Sequence, residues 1–145
     1  MVKTGKIPRS VAIIMDGNRR AAVKLAKEKH EGHALGLKKL EETVVWCKHL
    51  GIKELTVYAL SKDNLKRSKK EVDTLMGLCK VEFARLARNG GVFDNEKIKI
   101  KILGEIELLP EDVQESLRRT EEITKNHDQG TLNVCICYSS KDEIN

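Results

Sequence analysis

A chain of 145 residues with 40% apolar, 34% charged and only 3% aromatic residues has the material for one soluble domain with an aliphatic core. Its net charge of +5 favours an anionic partner, but so few aromatics leave little to stack on bases, so a phosphorylated small molecule is expected and no nucleic acid. No apolar run reaches bilayer-spanning length, and nothing in Met1–Arg9 suggests secretion.

In chain order, Val11–Met15 is a short continuous apolar run, the pattern of a strand buried on both faces. Ala21–Lys29 is helix-forming, and a second helix is predicted from about Ala34 to Leu50, with Leu37, Leu40, Val44 and Cys47 at helical spacing. Gly51 stands where a left-handed cap belongs. Leu55–Leu60 reads as another buried strand. A long amphipathic helix follows over Glu71–Asn89, with Val72, Leu75, Met76, Cys79 and Phe83 on one side and Asn89-Gly90-Gly91 as its stop. Lys97–Leu103 alternates lysine with isoleucine, a strand with one wet face. Pro110 suits the first turn of a helix running to about Asn126, Thr131–Tyr138 is a fourth strand, and Lys141–Ile144 begins another helix. Trp46 is expected in the core. The four cysteines lack zinc-finger spacing and read as buried thiols, Cys135 and Cys137 sharing a strand face.

Strands alternating with helices predict the α/β class: a parallel sheet of about four strands with helices on both faces, in a single domain over residues 1–145. Ligands of such sheets bind at the carboxyl ends of the strands. The polar clusters fall there: Asp16-Gly17-Asn18-Arg19-Arg20 after the first strand, Ser61-Lys62-Asp63-Asn64 with Arg67 after the second, and Ser139-Ser140-Lys141 after the fourth. The third strand ends plainly at Gly104-Glu105.

A strand-turn-helix junction offers free N–H groups and a positive helix end, and Arg19 and Arg20 can make forked hydrogen bonds to phosphate. Asp16 would repel a phosphate unless a cation lay between them, which a magnesium ion shared with substrate phosphates would supply. A solvated turn with surface arginines is the alternative. Neither a Walker loop nor a dinucleotide fingerprint occurs. His30 and His33 have no evident third ligand for zinc, and His33, beside Gly32, suits an anion donor.

These segments resemble the cis-prenyltransferase family of undecaprenyl and dehydrodolichyl diphosphate synthases, above all its eukaryotic branch. The resemblance is carried by Val11–Arg20 (VAIIMDGNRR), Glu31–Gly36 (EGHALG) and Trp46–Met76, and more weakly by Ile102–Pro110 and Leu132–Ile144. It implies an enzyme that condenses isopentenyl diphosphate with an allylic diphosphate, farnesyl diphosphate being expected, to make long polyprenyl diphosphates for dolichol-type carriers. It implies Mg2+ as cofactor, held by Asp16, with Asp16 and Asn64 as catalytic residues. Gly17, Asn18, Arg19, Arg20, Ala21, Lys29, His33, Ser61, Lys62, Asp63, Leu65 and Arg67 would bind substrate. A homodimer, or a heterodimer with an accessory subunit, in the cytoplasm or peripherally on the endoplasmic reticulum membrane, is implied for the full-length form.

Departures from the family pattern are Ala21 for an aromatic, Leu60 and Leu65 for Phe and Trp, Asp63 for Glu, and Lys29 and Lys141 for arginines. The family's C-terminal arginine-serine segment, which binds isopentenyl diphosphate, and its later acidic magnesium ligand are absent. The expectation is an N-terminal portion that binds substrate without elongating it. A non-catalytic accessory subunit is the alternative, and retention of Asp16 and Asn18 speaks against it.

Overall fold

The computed structural model describes residues 5–17 and 29–144. Strand β1 (Ser10–Ile14) pairs in parallel with β2 (Glu54–Ser61), Val11 opposite Leu55 and Ile13 opposite Val57. β2 pairs with β4 (Gly130–Tyr138), and β4 with β3 (Ile98–Leu103), giving a parallel sheet ordered β1-β2-β4-β3. The α/β class and the four parallel strands match the sequence pattern.

β1 departs from expectation. It is an edge strand and largely exposed, with Ile14 at 79%. An apolar run makes both faces of a strand fit for burial, but burial needs neighbours, and among the described residues β2 is its sheet neighbour.

Helix α1 (Lys29–Leu50) begins before the predicted Ala34, and the rest of the expected Ala21–Lys29 helix lies outside the described residues. Leu40, Val44 and Cys47 face the core at three- and four-residue intervals. Gly51, at φ 84°, ends the helix: its N–H donates to Lys48 O and that of Ile52 to Cys47 O, the two bonds of a Schellman cap. Trp46, one position off the core stripe, is 59% exposed rather than packed inside.

Helix α2 (Lys69–Ala87) starts on Ser68, whose Oγ accepts the Glu71 N–H. Met76, Phe83 and Leu86 bury its inner side. At the predicted stop, a Cβ on Gly91 would lie 2.4 Å from Leu86 O, so no larger residue fits. A four-residue helix α3 (Val92–Asn95), not evident in the sequence, then buries Phe93.

The outer edge of β3 is closed by side chains of helix α4 (Glu111–Thr124): Thr124 Oγ1 accepts the Ile100 N–H at 3.0 Å and Glu121 Oε1 the Ile102 N–H at 2.7 Å. Pro110 caps α4 rather than sitting inside its first turn. Central β4 carries Leu132, Val134 and Ile136, all fully buried. A short helix α5 (Ser140–Ile144) follows. All four thiols are free, but Cys135 and Cys137 do not share a face. Cys137 has left-handed backbone (φ 51°) in a bulge of β4 and joins the core cluster, which Cys135 does not.

Candidate active site

Because all four strands run the same way, their carboxyl ends converge on one edge of the sheet. At the end of β1, Asp16 is exposed and its Oδ1 accepts the Gly17 N–H at 2.6 Å. Gly17 has φ 86°, a conformation that glycine adopts without strain. Asn18, Arg19, Arg20 and Ala21 lie outside the described residues. Lys29 and His33 fall in the opening turns of α1.

At the end of β2 the chain enters a 3-10 turn, Lys62–Lys66, through a reciprocal cap. Ser61 Oγ accepts the Asn64 N–H (3.2 Å), and Asn64 Oδ1 accepts the Ser61 N–H (3.1 Å). The amide oxygen of Asn64 is therefore engaged with backbone, and its NH2 group is the donor it can offer a ligand. Asp63 is exposed and hydrogen-bonds Lys66 at 2.7 Å, and that ammonium holds its carboxyl below the usual range. Leu65 packs partly against the core, and Arg67 pairs with Glu71 at 3.0 Å.

Lys62 reaches across the end of β4 to Glu105 beyond β3, with Nζ to Oε1 at 2.6 Å. The third strand thus does not end plainly. Gly104 has φ 126°, and a Cβ there would stand 2.0 Å from Ile136 O. This close crossing, with the Glu105 N–H donating to Cys137 O at 3.2 Å, fixes where Glu105 projects. Sequence reading missed Glu105; the glycine just before it was the available signal. On the neighbouring strand end, Tyr58 OH donates to Tyr138 O at 2.7 Å and the two rings meet edge to face.

Beside this polar edge opens an apolar cleft of about 90 Å³, lined by Met15, Leu37, Leu40, Ala59, Leu75 and Phe83 among others. Val134 of the sheet forms its floor between α1 and α2. The Cys79 thiol also lines it, and burial together with nearby Cys137 pushes that thiol up to about 11, so it stays neutral at physiological pH. Among the described residues no group of three or more His, Cys, Asp or Glu could hold a metal, and no helix is long and apolar enough to cross a membrane.

A family model described as "Putative undecaprenyl diphosphate synthase" matches residues 14–145, from the last residue of β1 onward. The chain belongs to this family. Within the undecaprenyl diphosphate synthase family, it is 46% identical over 144 residues to the dehydrodolichyl diphosphate synthase complex subunit of Homo sapiens, across 99% of this chain and 43% of that one. The tritrans,polycis-undecaprenyl-diphosphate synthase (geranylgeranyl-diphosphate specific) of Archaeoglobus fulgidus is 45% identical over 143 residues, 99% of this chain and 57% of its own. The crystal structure of lavandulyl diphosphate synthase from Lavandula x intermedia, in complex with dimethylallyl diphosphate, matches with a TM-score of 0.81 at 29% identity, over 94% of this chain and 58% of that one. The chain spans about half the length of the synthase-family relatives it matches.

Proposed function

We propose that this chain is the allylic-diphosphate-binding part of a cis-prenyltransferase, which condenses isopentenyl diphosphate with an allylic diphosphate, farnesyl diphosphate foremost, into a long dolichol-type polyprenyl diphosphate. One observation carries the reading: the polar strand ends and the apolar cleft share a boundary. Met15 lines the cleft and Asp16 is the next residue; Ala59 lines it and Ser61 lies two residues on. An anionic head with an apolar tail suits that boundary, and dimethylallyl diphosphate, found on the lavandulyl diphosphate synthase, has that form.

In this reading Gly17, Asn18, Arg19 and Arg20 hold the diphosphate, joined by Lys29, His33 and Arg67. Asp16, a hard oxygen donor exposed at the end of β1, would hold a magnesium ion beside the diphosphate. When bound, that ion supplies charge neutralisation for the departing diphosphate. Asn64 orients substrate through its NH2 group. Its oxygen is occupied by Ser61 and a neutral amide is a weak base, so a diphosphate oxygen takes the proton. For these 145 residues the proposal is binding, with condensation assigned to the whole synthase. A second subunit, the same chain or an accessory one, and peripheral association with the endoplasmic reticulum membrane complete it. The human relative is named as a complex subunit, which supports the subunit partner.

Calorimetry with farnesyl diphosphate tests the reading. Saturable, magnesium-dependent binding, well above that of farnesol, is expected. Failure to bind, or equal binding of farnesol, would refute it.

A further inference from the structure

We propose that Glu105 regulates the diphosphate site as an internal competitor: it occupies the Lys62 ammonium, and an arriving diphosphate takes its place. The inference rests on the diphosphate-binding reading above and adds a residue to that site. Lys62 lies three residues beyond Ala59, which lines the cleft, at the strand end to which the proposed reading assigns the anionic head, yet its ammonium is drawn across the end of β4 to Glu105 at 2.6 Å. The point from which the carboxylate projects is fixed. Its backbone is held by the Gly104 crossing, too tight for a Cβ, and by its bond to Cys137 O. Cys137 itself keeps a left-handed conformation that a non-glycine residue adopts only under constraint from its surroundings. On the other side, the Ser61–Asn64 cap fixes the turn from which Lys62 springs. Both ends of the pair are thus anchored to backbone.

The pair is also weak enough to exchange. Lys62 is 30% and Glu105 52% exposed, so water screens them, and such a pair biases an equilibrium by about two- to fivefold. A diphosphate brings more charge and several acceptor oxygens to the same ammonium than the Glu105 carboxylate does. The exchange lets the site hold a diphosphate while keeping a built-in counter-ion ready to recapture Lys62 when the diphosphate leaves. Removing the competitor can tighten binding by no more than the strength of the pair itself.

The test is a double-mutant cycle on Glu105→Gln and Lys62→Met, titrated with farnesyl diphosphate and with inorganic diphosphate. Circular dichroism confirms that each variant is folded. E105Q is expected to bind both probes about two- to fivefold more tightly than the parent, and the gain should vanish in the K62M background. A gain that persists in K62M would mean only a long-range charge effect and overturns the exchange. Unchanged or weaker binding by E105Q overturns it as well. If the parent binds neither probe, the diphosphate-binding reading itself fails and this inference with it. That outcome is distinct from a parent that binds and an E105Q variant that does not differ.

Discussion

Replacing Gly104 by alanine probes the crossing that brings β3 to the active edge. The new Cβ would sit 2.0 Å from Ile136 O, about 1.3 Å inside the closest ordinary carbon–oxygen contact. The atom it meets is backbone of the central strand at fully buried Ile136, so it cannot swing aside as a side chain would. The end of β3 must therefore move, and the Glu105 N–H to Cys137 O bond at 3.2 Å is lost. Holding alanine at φ 126° costs about 1–3 kcal/mol, and the broken bond with its displaced partners about 1–2 more. Gly104→Ala should lose about 2–5 kcal/mol of stability, read as a lower urea midpoint at constant slope and a melting point lower by about 10 °C. Glu105→Ala is the control, since it keeps the backbone bond and should stay within about 0.5 kcal/mol of the parent. A Gly104→Ala variant within about 1 kcal/mol of the parent would show that the crossing is loose and that Glu105 is not fixed by it.

Two further outcomes are expected. Asp16→Ala should abolish the magnesium dependence of farnesyl diphosphate binding while changing stability by less than about 0.5 kcal/mol, because the carboxylate is exposed at a strand end; calorimetry with and without magnesium checks it, and an unaltered magnesium dependence removes Asp16 from the metal role. The Cys79 thiol, raised to about 11, favours its neutral form in the folded state, so its contribution to stability is complete below the unfolded value of about 8.5 and is lost as pH rises through about 11. Iodoacetamide at pH 8 should then label Cys79 far more slowly in the native chain than in urea, and farnesyl diphosphate should slow it further; equal labelling rates would contradict the cleft as described.

Local chemistry was the legible part of this protein. Gly51 and Gly90 were readable as stops because helix ends demand backbone shapes that glycine supplies. Apolar periodicity starts α2 at Glu71, and the Ser68 cap, which accepts the Glu71 N–H, moves that start back to Lys69. Asp16 and the Ser61–Arg67 cluster were recognisable since parallel strands gather their carboxyl ends, whatever the strand order. Less was recoverable where a residue's state depends on a distant neighbour. The apolar pattern of β1 suits burial, but its place at the sheet edge leaves Ile14 exposed. Trp46 is apolar enough for a core but stands off the inward stripe of α1.

Periodicity and capping act over a few residues, so the class of the fold, the four strands and the edge of the sheet where chemistry gathers are written in local pattern. The strand order β1-β2-β4-β3, and with it everything that spans strands, is set by packing. Lys62 and Glu105 lie 43 residues apart, and no local pattern announces their contact. It exists because β4 threads between β2 and β3, and because its bulge at Cys137 and the bare Cα of Gly104 let the two strand ends close over it. Register and strand order come from packing between distant segments, and a one-dimensional pattern holds their ingredients without their partners.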